Sequence, residues 1–175
     1  MKSSDTAYGP IARLIHWVSA LLIIVLLVTG FRAGFSEDAV AKTALLRIHL
    51  PVAGLAMVLT LIRLVWWWRF DRKPQDVAGV PGWQAAAARW THRGLYVLIF
   101  AMLGTGIAMS VLSGLPDALF GTAPFPKLDG LAPRVGHGIG ARLIAAAVLL
   151  HAGAAFYHHF VLKDRTLMRM VSGKQ

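Results

Sequence analysis

The stretch from Arg134 to Lys163 is almost wholly apolar, yet it carries His137, His151, His158 and His159. It reads as one long helix, since about 20 apolar residues at roughly 1.5 Å rise cross the ~30 Å hydrocarbon core of a bilayer. His137 and His151 are 14 residues apart. At ~100° per residue that is within about 40° of four full turns, so both rings leave one face, ~21 Å apart. An ionisable side chain in hydrocarbon is costly and implies a partner. Two imidazoles stacked along one helix, near opposite membrane surfaces, suit two cofactors bound in series.

The other histidines stand near the starts of the remaining apolar stretches: His16, His49 and His92. His49 and His137 belong to the same membrane surface and can face each other across one site. At the opposite surface His151 can pair with His16, and on depth alone His92 and His158 are rivals for that place. A hydrated side chain at the membrane edge is the ordinary reading for His92 and His159. Structural zinc prefers four ligands, usually with Cys or carboxylate. The chain has no cysteine and its apolar stretches hold no Asp or Glu. Two imidazoles above and below a flat, apolar macrocycle suit low-spin haem instead. Haem carboxylates need cations at the rim, a task suited to arginine. Arg63, 14 residues after His49 and inside its stretch, is the candidate propionate contact. Arg47 and Arg134 can equally reach lipid phosphate, and Arg142, five residues after His137, is expected on the opposite face and is given no role.

The elements that must position these residues are membrane spans. Of 175 residues, 57% are hydrophobic and 15% charged, against roughly 45–50% and 25% in soluble domains. An all-α integral membrane four-helix bundle is expected, one transmembrane domain over 1–175 with spans about 11–31, 45–68, 90–112 and 135–162. The first run is long, lacks a clear small-residue cleavage site and is read as a span, not a cleaved leader. Pro51 falls in the first turns of span two, where proline is tolerated. Residues 1–10 read as an exposed segment, 69–89 as a basic connector ending in a short interfacial helix, and 113–134 as a Pro/Gly-rich loop with a turn near Asp117 to Phe120. Gly104-Thr105-Gly106 allows close backbone approach. No internal repeat is evident beyond a histidine near the start of each span.

Orientation follows from Lys and Arg. Lys2, Arg13, Arg69, Arg72, Lys73, Arg89, Arg93, Lys163, Arg165, Arg169 and Lys174 flank one face, and Arg32, Lys42, Arg47, Lys127 and Arg134 the other. The basic excess marks the cytoplasm, so both termini are cytoplasmic. All six tryptophans fall at that surface as an interfacial belt. The net charge of +10 is topology-setting charge beside anionic lipid and gives no reason to expect nucleic acid.

Ile15-His16-Trp17, Ile48-His49 with Ile62-Arg63-Leu64, Gly136-His137 and the run Leu150 to Met170 resemble the bacterial cytochrome b-561 family, and within it the superoxide-oxidising members. The resemblance covers nearly the whole chain, with His158-His159, Lys163-Asp164 and the Thr166 to Met170 tail its most specific part. It implies two haem b groups in a four-helix bundle of the bacterial inner membrane. By position it makes His16 and His151 the axial ligands of the cytoplasmic haem, and His49 and His137 those of the periplasmic one. It further implies superoxide, or another periplasmic donor, passing electrons to ubiquinone, with His158 as candidate quinone contact. The two periplasmic loops depart from an electropositive mouth, with net charges of +1 and zero, although Arg47 and Arg134 make a local positive patch. A cytochrome subunit of a membrane dehydrogenase or hydrogenase is the alternative, and a haem-free transporter using His and Arg is the reading from another class.

Overall fold

In the computed structural model, which describes residues 2–77 and 79–172, the described chain is helical without any strand. Helix α1 spans Pro10–Phe35, α2 Ala39–Val65, α3 Gly82–Ser113, α4 Leu115–Phe120, α5 Ala132–Phe160 and α6 Met168–Val171. Four of them, α1, α2, α3 and α5, are long and apolar enough to cross a membrane, with mean hydropathies of 2.4, 2.0, 2.2 and 1.8 over their most apolar stretches. Their apolar side chains point outward: Val97, Val111, Leu149 and Leu150 are 68%, 74%, 74% and 73% exposed. Such faces suit lipid, where nothing is gained by hiding leucine from its surroundings. The all-α membrane bundle anticipated from composition is the architecture found, and it lies in the inner membrane.

The helices outrun the apolar stretches that announce them. Helix α2 starts at Ala39, capped by Asp38, whose side chain accepts the Val40 N–H at 2.9 Å. That early start moves Pro51 from the first turns to the helix interior, where it leaves the Arg47 carbonyl without its usual donor. At its other end α2 runs into a π-helical turn, Trp66–Phe70, closed by Asp71 N donating to the Trp66 carbonyl at 3.0 Å. The interfacial helix expected at the end of the connector is continuous with α3, which begins at Gly82. The turn around Asp117 is helix α4, whose Leu115 and Leu119 are buried. Arg47 holds it down by donating Nε to the Leu119 carbonyl at 2.6 Å.

α1 lies along α2 and α3 along α5, making two hairpins that touch each other through α1 and α5 and through α2 and α4. Both described ends of the chain meet at the surface with the basic excess, the cytoplasmic one by that count. The N-terminal segment is docked there, not loose. Ser3 gives its N–H and hydroxyl to Asp71 at 2.9 and 2.8 Å, and Trp66 Nε1 joins at 3.2 Å. The tail returns too: Trp17 Nε1 donates to the Met170 carbonyl at 3.0 Å and Arg169 to the Gln75 carbonyl at 2.6 Å. Lys174 lies outside the described residues.

Asp71 makes this end of the bundle acid-sensitive. Burial works against its charge, but the Ser3, Arg72 and Trp66 hydrogen bonds together outweigh that and hold its pKa below the ordinary value. A depressed carboxylate stabilises the fold above its unfolded pKa, about 3.9, and loses that contribution as pH falls through the lower folded value. Asp71→Asn is therefore expected to destabilise the fold at neutral pH by about 1.5–3 kcal/mol, the contribution of a hydrogen bond to a charged group, and so to lower the melting temperature. Melts in detergent at pH 7 and pH 3 should show that the variant loses less on acidification than the parent.

Candidate haem sites

The periplasmic site is built by α2 and α5, which carry His49 and His137, and is lined from behind by α1 and α3. The two rings face each other with centroids 6.3 Å apart and planes at 69°. Each ring is received by a threonine–glycine pair. Thr29 Oγ1 lies 3.0 Å from His49 Nδ1, and Thr105 Oγ1 lies 3.0 Å from His137 Nδ1. Next door, a Cβ on Gly30 would come within 3.0 Å of His49 Cε1, and one on Gly106 within 3.4 Å of His137 Cε1. A larger residue at either glycine would crowd the ring out of this position. Gly104, the other glycine singled out in span three, has open space around it; close approach is the work of Gly106.

A cleft runs from Gly34, Phe35 and Arg134 past both rings to Ser19 and Thr60 deeper in the bundle. Its walls are otherwise largely apolar, with Ile23, Leu26, Ile99, Leu103 and Ile144 among them. Arg142 also lines it, contrary to the face assigned by helical angle. Helical side chains lean toward the N-terminus, and the long Arg142 reaches back one turn to donate to the Gly138 carbonyl at 2.9 Å. A Cβ on Gly138 would lie 3.6 Å from an Arg142 guanidinium nitrogen and 3.7 Å from an Arg134 one. The two cations thus share one small patch above His137, and neither makes a salt bridge to a carboxylate among the described residues.

At the cytoplasmic end α1, α3 and α5 bring three imidazoles together. His16 and His151 have centroids 6.2 Å apart at 65°, and His92 stands 5.3 Å from His151. His92, whose ordinary reading was a hydrated edge residue, is therefore part of this cluster. Arg63 closes it, with Nη2 3.4 Å from His16 Nδ1 and its guanidinium 5.7 Å from the Tyr96 ring centre. Arginine only donates, so that long contact places an acceptor at Nδ1 and the proton at Nε2. Ligation through Nε2 needs the reverse tautomer, and Arg63 must then turn elsewhere, as toward a carboxylate. His158 is not in the cluster. Its Nδ1 is hydrogen-bonded to Asp164, just beyond the end of α5, with Thr166 Oγ1 at 3.5 Å. His159 packs edge-on against Phe160, centroids 4.7 Å apart.

The donor set fits haem. With imidazole nitrogen–metal bonds of about 2.0 Å and ring centres about 1.1 Å beyond, two rings trans on one metal have centroids about 6.2 Å apart. His49–His137 and His16–His151 match that separation, and His92–His151 is about 1 Å too close. Among the described residues no three His, Cys, Asp or Glu converge as an ordinary metal-ion site.

The sequence itself carries a signal of this arrangement. His16 precedes Thr29-Gly30 by the same interval as His92 precedes Thr105-Gly106, and His49 precedes Arg63 by the same interval as His137 precedes His151. The hairpin α1–α2 and the hairpin α3–α5 thus repeat one pattern, in which His92 stands where His16 does and Arg63 where His151 does.

Apolar spanning helices with facing imidazoles at separations that suit a central metal define a membrane b-type cytochrome, a carrier of electrons. The comparisons agree. Residues 7–173 match the prokaryotic cytochrome b561 family, and the chain belongs to it. Its sequence is 30% identical over 167 residues to cytochrome b561 homolog 1 of Escherichia coli (strain K12), covering 90% of this chain and 92% of that protein. It is 29% identical over 168 residues to the probable superoxide oxidase CybB of Yersinia pestis, covering 92% and 93%. Similarity to cytochrome b562 of Cereibacter sphaeroides is 27% over 174 residues, covering 97% and 98%.

Proposed function

We propose that this chain is a dihaem oxidoreductase that takes single electrons from superoxide on the periplasmic side and delivers them to ubiquinone near the cytoplasmic face. The observation that carries this reading is the two histidine pairs of matching separation, His49–His137 and His16–His151. The members of each pair would be the axial ligands of one haem b. Haem, when bound, supplies reversible one-electron storage at its iron. About 21 Å of helix between His137 and His151 makes two stations a better relay across the bilayer than one.

The protein's own residues do the rest. Arg134 and Arg142 set positive charge at the periplasmic end of the cleft, where an anionic one-electron donor would arrive. The largely apolar walls keep water from the interior. Quinone takes two electrons with two protons, and at the cytoplasmic edge Asp164 and His158 form a pair able to move them. Burial opposes the Asp164 charge, but the hydrogen bonds from His158 and Thr166 outweigh it and hold its pKa below the ordinary carboxylate value. An anionic Asp164 keeps the proton of His158 on Nδ1, leaving Nε2 to exchange protons with the quinone. The likeness to a probable superoxide oxidase of Yersinia pestis supports superoxide as the donor.

The test is quinone reduction by the purified protein under an enzymatic superoxide source. The expected result is ubiquinol formed at one equivalent per two superoxide consumed, abolished by superoxide dismutase. Haem that stays oxidised under the superoxide flux would overturn the donor assignment.

A further inference from the structure

Thr29 and Thr105 occupy equivalent places in the two hairpins, and neither is needed for helix formation. Thr29 is buried. Its hydroxyl proton goes to its own helix, to the Val25 carbonyl at 2.7 Å, as that of Thr105 goes to Ala101 at 2.8 Å. A hydroxyl has one proton to give, so toward the rings both oxygens can only accept. The groups 3.0 Å away, His49 Nδ1 and His137 Nδ1, must therefore carry hydrogen. That fixes each imidazole as the tautomer whose Nε2 lone pair is bare, and it fixes the ring's rotation, with Gly30 and Gly106 giving room on the adjoining side. At the cytoplasmic cluster no hydroxyl is hydrogen-bonded to His16, His92 or His151 among the described residues, so the device belongs to the periplasmic pair.

We propose that Thr29 and Thr105 are a matched pair of positioning residues, which present Nε2 of His49 and His137 to one metal and tune its redox equilibrium through their Nδ1–H groups. This rests on the reading of those histidines as haem ligands. A hydrogen bond accepted from Nδ1–H makes the imidazole a stronger donor, which favours the oxidised iron. Its loss shifts the equilibrium toward reduction and frees the ring to turn.

The experiment is a spectroscopic redox titration of the full-length protein in detergent, with low-temperature electron paramagnetic resonance of the oxidised state. Parent, Thr29→Val, Thr105→Val, the double valine and the two serine variants are compared. The double valine is expected to raise the reduction equilibrium of one haem by up to about tenfold, 59 mV for one electron, and to move its low-spin g-values. The serines restore both. Thr60→Val is the control: Thr60 lines the same cleft and gives its hydroxyl to the Ala56 carbonyl at 2.7 Å, but touches neither ring. Loss of one haem in the valines with retention in the serines also supports the proposal. An unmoved potential and spectrum in the double valine, or an equal shift in Thr60→Val, would overturn it. Full haem retention in His49→Ala would instead show that the ligand assignment beneath it is wrong.

Discussion

On the proposed dihaem assignment, alanine at His49 is expected to halve the haem of the purified protein, from about two b haems per chain to about one by pyridine haemochrome. His137→Ala should remove the same haem, and His16→Ala and His151→Ala the other. Each pair stands at the separation one iron requires, 6.3 Å for His49–His137 and 6.2 Å for His16–His151, so under that assignment either member's loss would leave the metal a single protein ligand. His92→Ala separates ligand from neighbour. At 5.3 Å from His151 His92 is too close to stand across an iron from it, and the variant should keep both haems. A His49→Ala protein that retains two haems with unchanged low-spin bands would remove the basis for the periplasmic site.

Hydropathy in the chain locates hydrocarbon, not the ends of helices, and the differences between expectation and structure follow from that. Span two was legible from Leu45, but α2 starts at Ala39 because Asp38 caps it in water, where apolar content is no guide. Pro51 and His49 consequently lie deeper in the helix than their distance from the apolar edge suggested. His49 and His137 were paired by depth and do face each other. His92 could not be placed by depth, because what brings it to His151 is the rotation of α3 against α5. The repeated interval from His16 to Thr29-Gly30 and from His92 to Thr105-Gly106 was available all along. It was hidden because one threonine in a membrane helix ordinarily bonds its own carbonyl, and only the paired geometry shows the second role. Arg142 departs from its helical angle for a different reason: that angle describes where Cβ leaves the backbone, and a long side chain ends a turn away.

That position of Arg142 carries the second large expected effect. Loop charge alone gives no electropositive mouth, yet the Arg134 and Arg142 guanidiniums both cover Gly138, at 3.7 and 3.6 Å from the place of its missing Cβ. Two like charges held so close, without an ion pair to a carboxylate among the described residues, make a local field that bulk counting averages away. Such a field raises the encounter rate of an anion by about 10-fold or more, and it is screened by salt over a Debye length of about 8 Å at physiological ionic strength. The double variant Arg134→Gln with Arg142→Gln is therefore expected to lower the second-order rate of haem reduction by superoxide by about tenfold at low salt. It should also flatten the salt dependence that the parent shows. Stopped-flow reduction at several ionic strengths measures both, and dithionite, added in excess, should still reduce all the haem. If the guanidiniums serve instead to hold a haem carboxylate, the variant loses periplasmic haem before any rate is measured, and the pyridine haemochrome content tells the two apart. A parent rate indifferent to salt, with a variant that matches it, would leave superoxide without electrostatic guidance at this end of the cleft and move attention to a docked protein donor.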